Sequence, residues 1–522
     1  MSETERAKNK FEGGLYWGDD GRLWLEGCAL RDLAEKFGTP LYVISEAQLR
    51  SNARRFKQVF SERWKEGGFK LLPAIKANYS LALRAILTQE GCGCDVFSEG
   101  ELWAALNSGV DPGAISLNGN GKLGRSNEML RTAISRGVKI TIDHKDEFPL
   151  IEAIARELKK KALIRFRLRP NFRELSAPTD FTPELIPTEL AAYAYKSGIP
   201  TEDLIPLGKW ALVSGAVEVS GVHIHLGRHK RSVEFWKGLV RGSVELLGRL
   251  KKEWNGWEPK EIDFGGGFPS RRDPMGRAID RTEVVSTGIL SALCFLAGKI
   301  GDGSLRFKVM NAALGLERKY LRDKIVGDPQ ADLGPSLEDY AEAVLETLRT
   351  ELKKYGLTPE GKEIQIEPGR GLYGDAGMHL TRVNFIKQQT DPLNWTWVNV
   401  DTTDSFFPDS ILEHSVFRYM MVDYPPDRPE SKEIMIADIV GRSCNMDRIL
   451  ADVDVPKAIQ PGDLILFLDT GAYQDASSSN FNALGRPATV LVSGDQAEVI
   501  KKAETTEDVF RRDLVPERLR IK

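Results

Sequence analysis

The sequence predicts an α/β fold in which a (β/α)8 barrel is joined to a second domain, a β-sandwich or β-barrel. Between about residues 69 and 380, eight short apolar or β-branched runs alternate with amphipathic helical stretches. This alternation is typical of a parallel sheet with helical connections, and eight strands in about 300 residues suggest closure into a barrel. An open doubly wound sheet is the alternative, but no GxGxxG motif follows the first strand.

The barrel elements follow from periodicity. Each predicted strand is a short apolar run, and each predicted helix has apolar residues at three- and four-residue spacing. The strands are predicted at 70–77, 92–98, 114–119, 139–143, 162–168, 220–226, 261–265 and 363–367. The helices are predicted at 81–89, 99–107, 127–135, 146–160, 233–254 and 337–355.

The β domain is predicted from about residue 381, where the helical periodicity fades and Gly, Pro and Asp turns separate the apolar runs. Its strands are predicted at 382–388, 396–401, 417–422, 433–440, 463–468, 488–492 and 498–502. A hairpin turn signal, Asp19-Asp20-Gly21, indicates that the N-terminal segment joins this domain. The predicted domains are 1–45 joining the β domain, 46–380 forming the barrel with a long insertion at about 270–336, and 381–522 forming the β domain.

Composition and charge exclude several classes of protein. The 522 residues are too many for one ordinary domain. The net charge of −3 provides no basic field for nucleic acid, no apolar run reaches membrane-spanning length, and the polar N-terminus lacks the apolar core of a signal peptide. We therefore expect a cytoplasmic protein without nucleic-acid or membrane partners. Five sparse cysteines fit neither a disulfide framework nor a zinc site, so no metal is expected.

Lys76 is the candidate nucleophile. It follows the apolar stretch Leu71-Leu72-Pro73-Ala74-Ile75, so its amine is expected at the end of the first barrel strand. An amine held against apolar walls loses solvation of its charged form, and its pKa falls. Such an amine can form a Schiff base with a carbonyl compound or with pyridoxal 5'-phosphate (PLP). The alternative is a solvated lysine at a strand end.

Other strand ends carry polar residues at the same predicted rim, which is where barrel enzymes place their active sites. The second strand ends near Asp95 and the sixth at His225, with His223 as a competing candidate on the same strand face. The seventh strand runs into Gly265-Gly266-Gly267, and the eighth into Glu367-Pro368-Gly369-Arg370.

These two loops suggest a phosphate site and a carboxylate beside it. Consecutive glycines let backbone N–H groups approach a phosphate, and Arg370 can add a forked contact; a flexible turn is the alternative. A carboxylate such as Glu367, placed next to the pyridine nitrogen of PLP, would keep that nitrogen protonated and strengthen the ring as an electron sink. The alternative for Glu367 is an ion pair with Arg370.

Taken together, the motifs resemble those of the fold-type III PLP-dependent decarboxylases, the family of diaminopimelate, ornithine and arginine decarboxylases. The resemblance covers nearly the whole chain. The motifs that carry it are Ala74-Ile75-Lys76-Ala77-Asn78, Asp95-Val96-Phe97-Ser98-Glu99-Gly100-Glu101, His225-Leu226-Gly227, Gly265-Gly266-Gly267, Glu367-Pro368-Gly369-Arg370, the region of Cys444, Gly471-Ala472-Tyr473 and Phe481-Asn482.

The resemblance implies a homodimeric, PLP-dependent amino-acid decarboxylase with its active site at the subunit interface. Decarboxylation would proceed through a Schiff base, loss of CO2 and reprotonation at Cα. Lys76 would form the Schiff base, His225 would stack on the PLP ring, and Cys444 of the partner subunit would supply the proton. The residues assigned to the cofactor site are Lys76, Asp95, Arg167, His225, Gly265, Gly266, Gly267, Glu367, Gly369, Arg370 and Tyr473.

Three positions depart from the family pattern. Arg228 stands where the family usually has a serine ligand of the phosphate, and Pro73 stands where it usually has a tyrosine. The spacing from Cys444 to Asp447 is one residue shorter than usual, so either Ser443 or Cys444 could hold the donor position. Cys444 is preferred because a thiol is the better acid at neutral pH.

The substrate expected from this resemblance is a diamino acid: meso-diaminopimelate, D- or L-lysine, or ornithine. Diaminopimelate decarboxylases are expected to grip a distal carboxylate with a basic residue soon after the strand at 396–401, but residues 401–410 contain acids and no arginine. This suits a distal amine and resembles the D-ornithine/D-lysine branch; solvated loop acids are the alternative. Asp409, Asn445 and Asp447 are the candidate substrate contacts.

Two rival functions remain at this point: a PLP racemase-type enzyme, because alanine racemases share a barrel and a β domain, and a catalytically inactive relative that binds a partner. The insertion at about 270–336 is long for a loop. Because it would follow the seventh strand at the active-site rim, we interpret it as a substrate lid or a dimer contact.

Overall fold

A computed structural model describes residues 14–123, 126–170, 195–226, 231–269, 288–289, 292–293, 295–316, 334–412 and 415–520. Arg228 and most of the predicted insertion lie outside the described residues, so the predictions made for them are not addressed by the structure. The chain forms two compact units, and each is described by itself. The β unit comprises Met1–Gln48, Ser286–Pro329 and Asp375–Lys522, and the barrel unit comprises Leu49–Val285 and Gln330–Gly374.

The N-terminal segment is part of the β unit. Its first three strands form a small antiparallel sheet, in which Leu15 pairs with Leu25 across the predicted hairpin. The elements are β1 (Leu15–Trp17), β2 (Leu23–Leu25), β3 (Cys28–Ala29), α1 (Leu30–Phe37) and β4 (Leu41–Ser45). All five residues of β4 are buried, because this strand lies inside the larger sheet described below.

Eight parallel strands form the barrel. They are β5 (Phe69–Leu71), β6 (Cys94–Val96), β7 (Ile115–Leu117), β8 (Lys139–Ile142), β9 (Ala162–Arg167), β10 (Val217–His223), β11 (Glu261–Asp263) and β12 (Glu363–Ile366). Each of β6 to β12 pairs with its neighbour in the chain, and β12 pairs with β5. The N–H of Gly93 donates to Leu71 O at 3.0 Å, and a bridge joins Ala74 to Asp95, which brings the two ends of the sheet together.

Helices connect the barrel strands. They are α2 (Glu46–Arg63), α3 (Leu81–Gln89), α4 (Glu99–Asn107), α5 (Glu128–Arg136), α6 (Glu147–Leu158), α7 (Thr201–Val213), α8 (Val233–Glu253), α10 (Leu337–Lys354) and α11 (Arg370–Tyr373), with α9 (Gly303–Leu316) belonging to the β unit. Local chemistry sets their ends: Ser98 Oγ accepts from Glu101 N at the start of α4, and Ser336 and Asp339 form a capping box at the start of α10.

The β unit continues with β13 (Gly377–Gln389), β14 (Trp395–Val400), β15 (Tyr419–Met421), β16 (Ile434–Val440), β17 (Arg448–Pro456), β18 (Leu464–Phe467), β19 (Ala488–Ser493) and β20 (Gln496–Lys501). The main path of its sheet is β17-β16-β14-β13-β4-β19-β20, and β18 pairs with β13 and β15. Four short helices lie between or after these strands: α12 (Pro408–Leu412), α13 (Pro429–Lys432), α14 (Gln474–Ser477) and α15 (Thr506–Phe510).

Apolar packing differs between the two units. The β unit contains two buried clusters, one around Leu41, Leu380 and Leu466 and one around Val400, Phe407 and Phe467. The barrel interior instead contains a buried polar layer centred on Arg165, which has no exposed side-chain surface. That layer lies directly below the candidate site.

The predicted fold class is confirmed: a parallel eight-stranded barrel accompanies a strand-rich domain that includes the N-terminal segment. The predicted barrel strands were too long at their C-terminal ends. Residues Ile75–Ala77 form a 3-10 turn and not the end of a strand, so the predicted strand 70–77 was wrong in its second half. Apolar composition alone does not distinguish the residues of a strand from buried residues in the turn that follows it. Strands β4 and β17 and helices α2 and α7 were not predicted.

Part of the predicted insertion is described, and it contains α9. Three large apolar side chains of this helix are exposed, namely Leu305, Val309 and Leu316, and Asn311 Nδ2 donates to Pro392 O at 2.9 Å within the β unit. Its role as lid or dimer contact stays a prediction. In the described part of the chain, every helix is too short or too polar to cross a membrane.

Candidate active site

Lys76 lies in the 3-10 turn that follows β5. Its Nζ is 3.3 Å from Asp95 Oδ2. Asp95 is the middle residue of β6, and 3% of its side chain is exposed. The Lys76 side chain is 46% exposed. The expectation that apolar walls desolvate this amine was therefore wrong, because the turn carries it out to the rim, where a carboxylate faces it.

Glu367 is the residue that follows β12, and its carboxylate is buried. Three side chains from β7, from the residue after β7 and from β10 face its two oxygens. Asn118 Nδ2 donates to Oε1 at 2.6 Å, Ser116 Oγ donates to Oε1 at 2.9 Å, and His223 Nε2 lies 3.1 Å from Oε2. Burial raises the pKa of Glu367 to about 7, with a contribution from the Asp95 charge, while Arg165 and Lys76 act in the opposite direction.

Asn118 connects the two ends of the site. Its Nδ2 also donates to Asp95 Oδ1 at 2.8 Å, so a continuous polar chain runs from Lys76 through Asp95 and Asn118 to Glu367. The chain crosses four barrel strands, and only 3% of Asn118 is exposed. A basic amine and a buried carboxylate are thus held at opposite ends of one hydrogen-bonded network.

Arg165 supplies the positive charge below this network. Its Nη1 donates to Asp263 Oδ2 at 2.8 Å and to Gln365 Oε1 at 2.7 Å, and its Nη2 donates to Ser116 Oγ. Ser116 in turn donates to Glu367, so the guanidinium is linked to that carboxylate through one hydroxyl. The ligand atoms of His223, Asp263 and Glu367 lie within 4.8 Å of one another, a spacing compatible with a metal ion, and Asp263 is also the ion-pair partner of Arg165.

The two histidines of β10 and the loop after it have different surroundings. His223 is buried against Glu367, and burial lowers its pKa to about 3. His225 is half-buried, and its Nδ1 lies 3.2 Å from Gly266 O. Burial, together with the Arg167 charge, holds the pKa of His225 well below its usual range. The neutral imidazole of His225 therefore lies against the glycine loop. The competing candidate His223 lies within hydrogen-bond distance of Glu367.

The glycine loop after β11 is closely packed. A Cβ on Gly266 would lie 2.4 Å from Glu367 O, and a Cβ on Gly265 would lie 2.7 Å from His225 Cβ. Gly265 and Gly267 have φ values of +65° and +100°, which favour glycine. The Gly265 N–H donates to Asp263 Oδ1 at 2.9 Å. The N–H groups of Gly266 and Gly267 make no hydrogen bond to the described part of the chain.

Arg167, at the end of β9, borders the same rim. Its Nη1 is 3.4 Å from Asp143 Oδ1, its Nη2 donates to His225 O at 3.2 Å, and its guanidinium lies 5.7 Å from the centre of the Tyr195 ring. Gly369 precedes α11, and Arg370 is its first residue and is buried. The barrel unit therefore brings together all the predicted cofactor residues except Tyr473.

The remaining candidates belong to the β unit. Cys444 is exposed in the loop between β16 and β17. Asp447 closes this loop, since its carboxylate accepts from Ser443 N and from Asp404 N, each at 2.6 Å. Asn445 Nδ2 donates to Asp404 Oδ2 at 3.1 Å. Burial, together with the Asp447 charge, raises the pKa of Asp404.

Asp409 and Tyr473 lie at a second place in the β unit. Asp409 Oδ2 accepts from Gln474 Nε2 at 2.7 Å, and Tyr473, with φ +69°, immediately precedes α14. Asp404 and Asp409 are only 4% and 6% exposed. The alternative that they are solvated loop acids was therefore wrong, and both carboxylates take part in internal hydrogen bonds.

The sequence analysis missed Ser116, Asn118 and Arg165 as functional residues. Asn118 directly follows β7, so the rule that selected Lys76 and Asp95 from strand ends also applies to it. Ser116 and Arg165 are polar residues inside apolar strands, and a buried charge in such a run signals a paired group. Their partners, however, come from strands far apart in the chain.

Comparison with known proteins agrees with this geometry. Residues 46–297 match the family model described as the pyridoxal-binding domain of pyridoxal-dependent decarboxylases. The chain is similar to the diaminopimelate decarboxylase of Methanocaldococcus jannaschii, with 28% identity over 505 residues that cover 96% of this chain and 97% of that protein. Its identity to the Archaeoglobus fulgidus diaminopimelate decarboxylase is 29% over 504 residues, which cover 96% and 99%.

Solved structures give a consistent result. The crystal structure of diaminopimelate decarboxylase from M. jannaschii superposes with a TM-score of 0.76 at 26% identity, covering 98% of this chain and 100% of that one. A second structure of that enzyme, in co-complex with L-lysine, has the same TM-score of 0.76. Both folded units are thus found in these structures.

Proposed function

We propose that the chain is a PLP-dependent decarboxylase that removes the carboxylate of a diamino acid as CO2, with meso-diaminopimelate as its first candidate substrate; the match of residues 46–297 to the pyridoxal-binding domain supports this. The observation that supports this most directly is the polar chain from Lys76 to Glu367 at the C-terminal rim of the barrel. It combines a reactive amine with a buried carboxylate, which are the two groups that PLP chemistry requires.

The residues present fit PLP. The Gly266 and Gly267 N–H groups are available to a phosphate, and the close packing at Gly266 leaves no room for a Cβ. Arg370 can add charge beside them. Glu367 accepts up to three hydrogen bonds, which stabilise it as a carboxylate opposite a protonated ring nitrogen. His225 presents a neutral ring at the same loop.

Bound PLP supplies an electron sink for the pair of electrons that remains when the carboxylate departs. The chain's own residues orient the reacting groups and supply the proton that returns to Cα. Asp95 holds the Lys76 amine at the rim, and Asp143 holds Arg167 at the edge of the site. With PLP bound, Glu367 would stabilise a positive charge on its ring nitrogen, and His225 would help to exclude water from the ring.

Proton return to Cα is assigned to Cys444. A thiol is a better acid at neutral pH than the hydroxyl of Ser443, and Cys444 is exposed on its loop. We propose that the enzyme is a cytoplasmic homodimer in which Cys444 of the partner subunit completes the site. A molar mass of the holoenzyme close to twice 58.2 kDa would support the dimer, and a monomer with full activity would exclude it.

Meso-diaminopimelate is placed first because curated relatives that match nearly the whole chain are named diaminopimelate decarboxylases. The distal end of this substrate carries both an amine and a carboxylate. Lysine or ornithine is the second candidate, favoured by the absence of a basic residue from 401–410. That argument is weakened by Asp409, whose carboxylate already accepts a hydrogen bond from Gln474.

The test is CO2 release from PLP-loaded protein with meso-diaminopimelate, D- and L-lysine, D- and L-ornithine and L-arginine side by side. We expect turnover of meso-diaminopimelate and loss of turnover and of the long-wavelength PLP absorbance in Lys76→Ala. Lys70→Ala is the matched control, because Lys70 lies on β5 and pairs with Glu363. Racemisation without CO2 release, or no turnover of any substrate, would refute the proposal.

A further inference from the structure

Cys444 is held by a residue that has not yet been given a role. Asn482 lies in the 3-10 turn Phe481–Ala483, 38 positions along the chain from Cys444. Its Oδ1 accepts from the Cys444 backbone N–H at 2.8 Å, and its Nδ2 donates to Cys444 Sγ at 3.1 Å. A single side-chain amide therefore contacts both the backbone and the sulfur of the cysteine.

The loop that carries Cys444 has a defined shape. Asp447, with φ +50°, accepts from Ser443 N and Asp404 N, and a Cβ on Gly441 would lie 2.5 Å from the Asp447 carboxylate oxygens. The loop is thus fixed just before and just after Cys444. The amide of Asn482 adds the contact that orients the sulfur itself.

The turn around Asn482 is strained in a way that supports this role. Asn482 has φ +58° and the next residue, Ala483, has φ +57°. The left-handed region is tolerated by asparagine but is unfavourable for alanine. Strained backbone of this kind tends to persist where it places a functional group, and here it directs the Asn482 amide toward Cys444.

We propose that Asn482 is a positioning residue for Cys444, which it holds in place and whose thiolate it stabilises. This inference rests on the proposed function. When the thiol protonates Cα, the S–H bond breaks, its electron pair stays on sulfur, and the proton forms the new C–H bond. The resulting thiolate accepts the hydrogen bond from Asn482 Nδ2 more strongly than the thiol does. A proton from water then restores the thiol.

Two substitutions separate the amide from the backbone strain. Asn482→Gly keeps a left-handed φ accessible and removes the amide, while Asn482→Asp keeps the shape and replaces the N–H donor by an acceptor. The matched control is Asn255→Asp, the same change at an exposed asparagine that also has a left-handed φ, +52°. Asp404 and Asp447 stay in every variant, so the charge they place near the loop is constant.

The measurement is the rate of iodoacetamide alkylation of Cys444 in the holoenzyme as a function of pH. Trypsin releases this cysteine in the peptide Ser443–Arg448, which contains no other cysteine, so mass spectrometry reports it alone. We expect alkylation of Cys444 at pH 7 to slow about tenfold in Asn482→Gly, because the thiolate loses a hydrogen-bond donor. Asn482→Asp should slow it further because it adds a negative charge.

Profiles of Asn482→Gly and Asn482→Asp that overlay the wild-type profile would overturn the inference. A change of the same size in Asn255→Asp would also overturn it, because the effect would then not depend on contact with Cys444. The alkylation profile does not depend on substrate. Absence of CO2 release from every diamino acid would therefore refute the proposed function, while this measurement would still decide the role of Asn482.

Discussion

Asn118 offers the sharpest test of how the barrel unit controls its buried carboxylates. Replacing Asn118 by leucine keeps the number and branching of the side-chain heavy atoms and removes the N–H groups that reach Glu367 Oε1 at 2.6 Å and Asp95 Oδ1 at 2.8 Å. Glu367 keeps Ser116 and His223 as partners, and Asp95 keeps its contact with the lysine amine. The substitution therefore weakens the network without deleting either carboxylate.

The magnitude follows from the bonds that are lost. A hydrogen bond to a charged group contributes about 1.5–3 kcal/mol, and one pKa unit corresponds to about 1.36 kcal/mol. The loss of one donor should raise the pKa of Glu367 by about one to two units. A carboxylate that is more readily protonated stabilises the ring nitrogen less well, so kcat/KM for CO2 release should fall about 10- to 100-fold.

The assay is steady-state CO2 release at saturating PLP, combined with a pH titration of the absorbance of the bound cofactor. Asn107→Leu is the matched control, because Asn107 carries the same amide on the exposed end of α4 and donates to Trp103 O at 2.8 Å. If Asn118→Leu stays within twofold of wild type and its absorbance titration is unchanged, the network does not govern Glu367, and the reasoning fails.

Three further predictions concern stability and cofactor binding. Burial opposes ionisation of Glu258, but two lysines and a backbone N–H hold its pKa at about 2. Its contribution to stability is complete above about pH 4.5 and is lost as the pH falls toward 2. In Glu258→Gln, the free energy of unfolding should therefore fall by about 1–2 kcal/mol less over this pH range, and an unchanged pH dependence would contradict this. Gly266→Ala should weaken PLP binding at least tenfold in an absorbance titration, because its Cβ would lie 2.4 Å from a backbone carbonyl oxygen, whereas Gly215→Ala, where a Cβ meets nothing within 4 Å, should bind normally. Lys122→Met should cost about 3–5 kcal/mol in urea unfolding because it leaves the buried carboxylate of Glu147 without its cation; a midpoint within error of wild type would refute this.

Local sequence signals identified much of the site. Lys76, Asp95 and Glu367 were selected because each follows or ends a predicted strand, and the carboxyl ends of parallel strands share one rim of a barrel. The same rule would have identified Asn118 had the end of its strand been predicted at Leu117. The helices α3 and α4 were predicted with their observed bounds, because apolar spacing is a local feature of the sequence.

The hydrogen-bond and ion-pair partners of buried side chains could not be predicted from the sequence in the same way. Arg165 interacts with Asp263 and Gln365, which are 98 and 200 positions away, and only closure of the barrel brings these strands together. Lys76 looked like a desolvated amine because its flanking residues are apolar, but the 3-10 turn exposes it beside Asp95. Asp409 was predicted to face a distal amine of the substrate, with a solvated acid as the alternative, and the structure shows that Gln474 donates to it.

The alternation of strand and helix could be predicted from the sequence alone, as could the order of the two folded units and the residue types at the barrel rim. These depend on periodicity and on short-range rules, which a linear chain displays directly. The tertiary structure alone decided which buried charges are paired, which of His223 and His225 faces Glu367, and which amide holds Cys444. Those outcomes depend on distances of about 3 Å between segments far apart in the chain, and a hydrogen bond is made or lost within a few tenths of an ångström.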